Sequence, residues 1–595
     1  MDTLSFKQHI ESLFKKSQKF SDSEDNLDIH TILESIESID AELIKVLKND
    51  KKAKEAFFTQ VEDIYILNQN RLIEFFTLND YMKNGSYTSY TNKIGLIKKD
   101  RFIKKFDDIV LAFPHKDCVL EGGQTKDEDK SKEVFYNEII ASDEIDRLFE
   151  PKVLTNIKKY SKDGIEENPM IQDDDNLIIK GNNLIALHSL KKKYAGQIKL
   201  IYIDPPYNTG NDSFKYNDNF NHSTWLTFMK NRLEVARELL SDDGVIFVQC
   251  DNNEESYLKV LMDELFGFNN YINTISVKSS TPSGVKTSHA TKKILKSQDF
   301  ILCYKKFNIQ FYPQYSKKEK WDTHYMFYIE NNQLKLLINV LKSENILKKH
   351  ETLQDFDVKN KVHKRFYINN GNNIVRKSTH DNKKIKELCN KKYKDIIYEE
   401  NGNKYFNNDM LQPIAKSIQP VFIGQNIEDD ISNLVCDFWN DIDFQNTQNQ
   451  GGVSFPAGKK PEQLLYRIIA MVTQPNDLVM DFHLGSGTTC AVAHKMGRKY
   501  IGIEQMDYIE DIAVERLKKV IDGEQGGISK AVNWSGGGSF VYAELKQIDN
   551  FKNSKIESLN KNMQYLPIDE IEDEDYGITK EEIAINRSFY GIENE

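Results

Sequence analysis

Three features are absent from this chain of 595 residues, and each absence argues against a class of protein. No run of about 18 or more apolar residues occurs, so the sequence predicts no membrane-spanning helix. The start of the chain, Met1–Lys7, lacks the basic and apolar pattern of a signal segment, which predicts a soluble, unexported protein. The cysteines are dispersed without a CxxC pair, which predicts reduced thiols and neither a zinc site nor a disulfide framework. They are Cys118, Cys250, Cys303, Cys389, Cys436 and Cys490.

The charge of the chain is unevenly distributed. Its formal net charge is −11, yet Ser276–Glu400 holds 26 Lys and Arg against 13 Asp and Glu, a local balance of +13. The remaining residues therefore carry −24. A basic region within an acidic chain is typical of a surface that contacts phosphates, and the alternative is a solvated lysine-rich face. The length predicts about three to four domains.

The most informative stretch is Lys199–Gly210, where an apolar run stops at Asp204-Pro205-Pro206-Tyr207. Apolar and β-branched residues closed by two prolines predict a buried strand that ends in a turn. In a parallel α/β sheet, ligands bind at the carboxyl end of such a strand. Because two prolines stiffen the backbone and remove two amide donors, the turn presents a carboxylate, free carbonyls and an aromatic ring.

A primary amine on a flat aromatic ring matches this set of groups. The exocyclic amine of adenine is a poor nucleophile because its lone pair is delocalised into the ring. If Asp204 and the Pro205 carbonyl each accept one N–H, that lone pair can point at an electrophile, while Tyr207 stacks on the base. The alternative, a turn that only ends a strand, stays open on these four residues alone.

A second stretch, Leu478–Thr489, predicts a strand ending at Asp481, a turn through Gly485 and Gly487, and a helix opening at Thr488. Glycines let the backbone approach a ligand closely at the carboxyl end of a strand. The next predicted strand ends in Glu504, as recognition of ribose hydroxyls requires. A dinucleotide dehydrogenase also has a glycine turn and an acid, but it has no use for Asp-Pro-Pro-Tyr or for the basic region.

A nucleotide P-loop is excluded. Five residues separate Gly452 from Gly458, where a P-loop has four, and Lys460 follows Lys459 where a P-loop has Ser or Thr.

These motifs together resemble the amino-methyltransferases of DNA. Asp204–Tyr207 followed by Asn208–Asp212, with Gly485–Thr489 downstream, is similar to the Mod, or modification, subunits of Type III restriction-modification systems. The order of the motifs resembles the β group, in which the catalytic motif precedes the cofactor motif, and the resemblance covers most of residues 110–545.

The resemblance implies S-adenosylmethionine as cofactor and assigns roles to particular residues. Asn182 stands where relatives commonly have an Asp that binds the cofactor's adenine amine, and the helix start near Lys460 would hold the methionine end. His483 stands where the family usually has Phe. The implied catalytic residues are Asp204, Pro205, Pro206 and Tyr207, and the implied cofactor-binding residues are Asn182, Lys460, Asp481, His483, Gly485, Gly487, Thr488 and Glu504.

The predicted fold class is α/β: a Rossmann-like methyltransferase sheet with an inserted basic target-recognition domain and a helical N-terminal region. Apolar stripes at helical spacing, the second of them through Phe57, Val61, Ile64, Leu67 and Leu72, predict the N-terminal helices. The predicted divisions are 1–105 (helical), 106–170 (a leader wrapping the catalytic domain), 171–280 (catalytic), 281–450 (target recognition), 451–545 (cofactor binding) and 546–595 (an acidic interaction segment or tail).

Basic side chains between the catalytic and cofactor motifs are predicted to contact DNA. Lysines and arginines there would neutralise phosphates, and a subset of polar side chains would read base edges. The named candidates are Lys361, Lys364, Arg365, Arg376 and Lys377.

The predicted function is methyl transfer from S-adenosylmethionine to adenine N6 in duplex DNA, with the base flipped out of the helix. Two alternatives remain. Cytosine-N4 methylation uses the same chemistry, although cytosine enzymes often have Ser at the position of Asp204, and a catalytically silent DNA-recognition subunit is the second. The resemblance further implies a cytoplasmic bacterial protein, a homodimer on DNA, and a separate Res subunit for cleavage.

Overall fold

The computed structural model describes the chain between residues 6 and 592, in a set of separate ranges. These are 6–17, 19–21, 27, 29–61, 64–69, 72, 75–76, 88–90, 95–98, 101–102, 110–112, 119–121, 134–137, 149–208, 222–280, 291, 294–444, 447, 450–455, 458–548 and 565–592. Cys118, most of the predicted leader and residues 209–212 of the resemblance motif lie outside them. Among the described helices, none has the length and apolar character needed to cross a membrane.

A large mixed sheet forms the centre of the described structure. Its eleven strands, numbered along the chain, are β1 Leu154–Ser161, β2 Gly164–Glu167, β3 Leu177–Lys180, β4 Ile198–Ile203, β5 Leu240–Cys250, β6 Tyr271–Val277, β7 Asp299–Lys305, β8 Phe438–Trp439, β9 Leu478–Asp481, β10 Lys499–Glu504 and β11 Ser539–Leu545. Their order across the sheet is β2-β1-β11-β3-β10-β9-β4-β5-β7-β6-β8.

The middle of the sheet is parallel, and this brings the two motifs together. β4 pairs with β9 on one side and with β5 on the other, both in parallel, and β9 pairs in parallel with β10. Because parallel strands end at the same edge, the turns after β4, β9 and β10 share one edge of the sheet.

Helices cover both faces of the sheet, so its central strands are buried on both sides. They are α1 Asn183–Tyr194, α2 His222–Leu239, α3 Glu255–Phe266, α4 Glu462–Val472, α5 Thr488–Lys495, α6 Glu515–Ile521 and α7 Lys580–Tyr590. In β4, Ile201 and Ile203 pack in one apolar cluster, while Leu200 and Tyr202 pack in the other. This is the α/β methyltransferase-like sheet that the sequence predicts.

The predicted helical character of residues 1–105 is wrong for much of the described chain after Phe57, although Leu72, Phe75 and Phe76 are helical. Helices Phe6–Lys15, Ile29–Glu37, Ala41–Lys48 and Lys51–Phe57 come first, and Phe58–Val61 and Ile64–Leu67 then form an antiparallel hairpin. Further short strands follow at Thr88–Tyr90, Gly95–Lys98 and Arg101–Phe102. Aromatic and β-branched residues dominate the hairpin and favour the strand, although their spacing also matches a helix.

The region between β7 and β8 is an insertion with its own sheets. One has six strands, ordered Gln333–Leu336, Phe327–Glu330, Ile374–Thr379, Asp409–Pro413, Asn403–Phe406 and Ile397–Glu400, and another joins Tyr315–Lys317, Asn426–Leu434 and Ile418–Ile423. Helices Leu337–Ser343, Lys361–Asn369 and Lys383–Lys391 accompany them. The predicted start at 281 is too early for this insertion, because β7 belongs to the main sheet and pairs with β5. Lysine-rich flanks concealed this buried strand in the sequence.

The C-terminal segment is not a tail. Leu566, Ile568, Phe589 and Tyr590 are buried in the apolar cluster that covers one face of the main sheet. Asn586 of α7 is fully buried, where its amide accepts a hydrogen bond from the Leu154 amide at 2.7 Å and donates to the Leu154 carbonyl at 2.7 Å. The acidic run that precedes α7 concealed these widely spaced apolar residues.

Candidate active site

Asp204 stands directly after β4, at the shared edge of the sheet. Its Oδ2 forms an ion pair with Lys460, which lies just before α4. Its Oδ1 is buried and makes no hydrogen bond of acceptable geometry with any described residue. Burial raises the pKa of Asp204, and the attraction of Lys460 opposes that rise. The Tyr207 hydroxyl also interacts with this carboxylate. The turn therefore presents a carboxylate with Oδ2 paired to Lys460 and Oδ1 without a well-formed hydrogen bond.

The two prolines differ in the state of their carbonyls. The Pro206 carbonyl accepts a hydrogen bond from the indole Nε1 of Trp225 at 2.7 Å, which ties the turn to α2. For the Pro205 carbonyl, no donor among the described residues is bonded to it. The Pro205 carbonyl is therefore available to accept an N–H of the amine, as the sequence predicts.

Tyr207 lies against two lysine side chains. The Nζ atoms of Lys460 and Lys296 are 5.2 Å and 5.7 Å from the centroid of its ring. Burial raises the pKa of Tyr207 well above its usual value, and the charge of Asp204 adds to the effect. The phenol is therefore neutral, as a stacking partner should be.

The glycine turn after β9 is organised by Asp481. Its Oδ1 accepts a hydrogen bond from the His483 amide at 3.0 Å, and its Oδ2 accepts one from the Thr489 hydroxyl at 2.6 Å. Gly485 and Gly487 have φ values of 53° and 73°, in the left-handed region that favours glycine. Burial raises the pKa of Asp481 to about 7.

Glu504, at the end of β10, holds the same turn from the other side. One carboxylate oxygen accepts from the Gly485 amide at 2.9 Å and from the Tyr508 hydroxyl at 3.2 Å. The other accepts from the amides of Gln505 and Met506 at 3.0 and 3.1 Å. Burial raises its pKa, and these hydrogen bonds oppose the rise.

A buried ionic network lies beneath the turn, and no sequence motif indicated it. Arg516 donates to the Thr488 hydroxyl at 2.6 Å and to Glu462 at 2.7 Å. Lys495 donates to the second oxygen of Glu462 at 2.8 Å and also pairs with Glu524. The side chains of Arg516, Lys495 and Glu462 are 0% exposed. Because removal of one partner leaves a buried charge uncompensated, this network fixes α4, α5 and α6 to one another.

Asn182 caps α1 in the structure, and the cofactor role that the resemblance implies for it stays a prediction. Its Oδ1 accepts hydrogen bonds from the amides of Leu184 and Ile185 at 3.0 and 3.5 Å, so it caps α1. The neighbouring Asn183 lines the pocket instead, and its amide donates to the Phe482 carbonyl at 2.9 Å.

His483 lines the pocket at the position where the family usually has Phe. Burial lowers its pKa to about 3, so the ring is neutral. Its Nε2 is buried and makes no hydrogen bond within the described part of the chain.

One cavity joins the two motifs. It encloses about 840 Å³ of empty space, which includes solvent at its open mouth. Its wall includes the predicted residues Asp204, Pro206, Lys460, Asp481, His483, Gly485, Thr488 and Glu504. Pro205, Tyr207, Asn182 and Gly487 adjoin these residues in sequence but do not form the wall.

The predicted DNA-contacting side chains fall into two groups. Lys364 pairs with Glu428 and Asp430 at 2.9 and 3.2 Å, and Lys377 lies 3.8 Å from Asp409. Arg376 donates two hydrogen bonds to Gln412, at 3.0 and 2.8 Å. Lys361 and Arg365, in contrast, are exposed and make no ion pair with a described residue. Neighbouring acids engage Lys364 and Lys377, and Gln412 engages Arg376, so three of the five candidates have partners that are distant in sequence.

Two family models match parts of this chain. A family model described as DNA methylase matches residues 198–515, and one described as Type III restriction/modification enzyme methylation subunit matches residues 40–96. The second match gives the N-terminal region a family assignment that its sequence pattern did not.

Named relatives extend over most of the chain. The "Probable type III restriction-modification enzyme HindVI Mod subunit" of Haemophilus influenzae is 39% identical, covering 86% of this chain and 81% of the relative. The EcoPI Mod subunit of Escherichia phage P1 is 29% identical over 59% of this chain and 60% of its own. A crystal structure of the M1.HpyAVI–SAM complex is 14% identical and covers 57% of this chain and 98% of that one, with a TM-score of 0.27.

The match to the DNA methylase model spans the catalytic motif, the insertion and the glycine turn. The Haemophilus relative extends the likeness to 86% of the chain. The resemblance drawn from the sequence is therefore confirmed: the chain belongs to the Mod subunits of Type III restriction-modification enzymes, within the DNA methylase family.

Proposed function

We propose that this chain transfers a methyl group from S-adenosylmethionine to N6 of adenine in duplex DNA. The observation that carries the proposal is Oδ1 of Asp204, which makes no well-formed hydrogen bond and lies in the wall of the cavity that also contains the glycine turn. A buried acceptor without a well-formed hydrogen bond is costly, and a better-placed donor on a ligand removes that cost. An amine that enters this cavity supplies such a donor.

The residues present fit S-adenosylmethionine. The backbone at Gly485 approaches the cavity without a side chain, and the start of α5 presents amides there. When bound, S-adenosylmethionine supplies an electrophilic methyl group on a positively charged sulfur. Asp481, Asp204 and Glu504 give the cavity three carboxyl groups, which favour a cationic ligand. In Glu504, the Tyr508 contact at 3.2 Å is the longest of its four, so a ribose hydroxyl can replace it most easily.

Asp204 and Pro205 act on the amine. Oδ1 of Asp204 accepts one N–H, and the Pro205 carbonyl accepts the other, which turns the nitrogen lone pair away from the ring. As the new N–C bond forms and the bond from the methyl carbon to sulfur breaks, the amine nitrogen becomes cationic and then releases one proton. Asp204, which accepts one of its N–H groups, is placed to take up that proton. Tyr207 stacks on the base after it has left the DNA helix.

Lys460 has to move before the base can occupy this site. Its ammonium is paired with Asp204 and lies beside the Tyr207 ring, the two groups that the target base uses. Lys460 therefore acts on the substrate side of the cavity, in addition to the cofactor role that the resemblance implies for it.

The insertion supplies the surface for DNA. Helix Lys383–Lys391 and the residues after it carry Lys383, Lys384, Lys386, Lys391, Lys392 and Lys394 with one acid, Glu387. None of these lysines pairs with an acid among the described residues, and most are exposed. Together with Lys361 and Arg365, they are among the cations of the insertion that are available for phosphates.

Adenine is favoured over cytosine because Asp, and not Ser, follows β4. Cytosine-N4 methylation and a silent recognition role are the two other outcomes. As in the family, we expect a homodimer in the bacterial cytoplasm and a Res subunit that supplies cleavage, since the sequence has no P-loop match.

The test is transfer from labelled S-adenosylmethionine to unmethylated bacterial DNA, followed by identification of the modified base. The wild-type protein should form N6-methyladenine. Asp204→Ala should lose about 100-fold or more of the rate, the usual effect of removing a group that acts on the reacting atoms, while it still binds the cofactor. N4-methylcytosine, or DNA binding without any transfer, would contradict the proposal.

A further inference from the structure

The turn after β5 lies beside the catalytic turn. β4 and β5 pair in parallel, with Ile203 opposite Val248, so the residues after each strand leave the sheet at the same edge. The sequence analysis gave Asp251 and Glu254 no part in catalysis. In the structure, Glu254 contacts Asn208 directly, and Asp251 pairs with Lys296, whose Nζ lies near the Tyr207 ring.

Glu254 is a fully buried carboxylate that contacts both flanks of residues 209–221. Its Oε1 accepts a hydrogen bond from the Asn208 amide at 2.5 Å, and the His222 Nδ1 lies 2.8 Å from the same oxygen. Glu254 stands just before α3 but makes no capping hydrogen bond to it. Its carboxylate is therefore directed to Asn208 and His222, not to the helix that follows.

Asn208 needs such a contact because of its backbone. It directly follows Tyr207 and has a φ of 57°, in the left-handed region that residues other than glycine rarely adopt. Asn tolerates this conformation better than most residues, yet it still has to be held there. The buried carboxylate of Glu254 supplies a hydrogen bond to its side chain.

A second contact reaches Tyr207 itself. Lys296 donates to Asp251 at 3.1 Å and pairs with Asp299 at 2.9 Å, at the start of β7. Its Nζ is 5.7 Å from the centroid of the Tyr207 ring. The turn after β5 thus contacts Tyr207 through Asp251 and Lys296, and it contacts Asn208 through Glu254.

We propose that Glu254 is a positioning residue for methyl transfer: by holding Asn208, it sets the orientation of Tyr207 toward the incoming base. Glu254 does not line the cavity and would touch neither base nor cofactor. The inference rests on the proposed function, because it concerns the stacking step of that reaction. Small misplacements of a group that positions the substrate can cost about 100-fold in rate.

The test compares four variants of the full-length protein. Glu254→Ala removes the acceptor, whereas Glu254→Gln keeps an oxygen that can accept from both partners. Asn208→Gly removes the donor but tolerates the positive φ. Glu255→Gln is the matched control, since Glu255 accepts from Ser256 at 3.1 Å and contacts no described part of the catalytic segment.

Three quantities are measured for each variant: kcat at saturating DNA and cofactor, the Kd for S-adenosylmethionine, and the fluorescence of 2-aminopurine at the target base. We expect Glu254→Ala and Asn208→Gly to lower kcat at least tenfold and to change the fluorescence of the flipped base. The cofactor Kd should stay within about twofold, and Glu254→Gln should recover most of kcat. The double variant Asn208→Gly, Glu254→Ala should be no slower than either single variant.

The outcomes distinguish this inference from the proposed function. If the wild-type protein transfers no methyl group, the proposed function fails, whereas 2-aminopurine fluorescence still reports whether the target base is flipped out of the DNA helix. If the wild-type protein is active and Asn208→Gly retains full kcat, the positioning role of Glu254 is wrong. Equal losses of cofactor binding and of kcat would also overturn it, because they indicate a merely structural role. Asn208→Gly and Glu254→Gln decide the question if Glu254→Ala does not fold.

Discussion

Lys460 forms an ion pair with Asp204 across 256 residues of sequence, and its ammonium lies 5.2 Å from the centroid of the Tyr207 ring. This pair joins the segment before α4 to the turn after β4. The cation also offsets part of the effect of burial on the Asp204 carboxyl, which otherwise favours the neutral acid.

Lys460→Met should therefore shift the pH dependence of methyl transfer. Without the ammonium, the pKa of Asp204 rises further, so a larger fraction is protonated at a given pH and can no longer accept from the amine. The acidic limb of the kcat/KM profile should move to higher pH by about one unit or more. Lys460→Arg, which keeps the charge, should move it less, and an unchanged limb in Lys460→Met would contradict the role of the pair.

Asp481 should make cofactor binding depend on pH near neutrality. Burial raises its pKa to about 7, so the acid is largely protonated at pH 6 and largely ionised at pH 8. Because a cationic ligand favours the ionised form, the affinity for S-adenosylmethionine should rise across this range, by at most about tenfold per pH unit. Calorimetry at several pH values measures it. Asp481→Asn should flatten the dependence, and an equally steep dependence in that variant would assign it to another group.

The lysines of helix Lys383–Lys391 should contribute to the salt dependence of DNA binding. Each phosphate contact that is lost lowers the slope of log K against log salt concentration by about 0.9. A triple change of Lys383, Lys384 and Lys386 to Gln should reduce the slope by up to about three such steps, as measured by fluorescence anisotropy. Lys364→Gln is the control, since Lys364 pairs with Glu428 and Asp430 and should leave the slope unchanged. If Lys364→Gln lowered the slope and the triple change did not, the DNA surface would lie at Lys364 and not at the lysine-rich helix.

Asn586→Ala should destabilise the protein without changing its chemistry. The amide makes two hydrogen bonds to the Leu154 backbone in a fully buried position, and their loss leaves buried backbone groups unpaired. We expect a loss of about 1–3 kcal/mol in the free energy of unfolding. Thermal unfolding and kcat at a permissive temperature test this together. Glu581→Ala, at an exposed position of α7, should leave both unchanged. A fall in kcat with no loss of stability would be the contrary result.

The sequence by itself determined the elements whose signals are local. The apolar run of β4 and the prolines after it occupy one short stretch, as do β9, its glycines and the first residues of α5. Parallel pairing then follows from the alternation of strands and helices, because a crossover helix carries the chain back to the same end of the sheet. The sequence alone therefore predicted that Asp204, Gly485 and Glu504 lie close together, and it also predicted the family.

Only the tertiary structure decided the contacts that depend on distant pairing. The ion pair of Lys460 with Asp204, the contact of Glu254 with Asn208, and the network around Arg516 each join residues whose neighbourhood the local sequence does not encode. The same holds for β7, which lysines flank, and for α7, which follows an acidic run yet buries Asn586 against β1. The sequence shows where a charged residue stands in the chain but not its role. Burial and the neighbouring side chains decide whether that residue binds a phosphate, holds a turn or contacts a substrate.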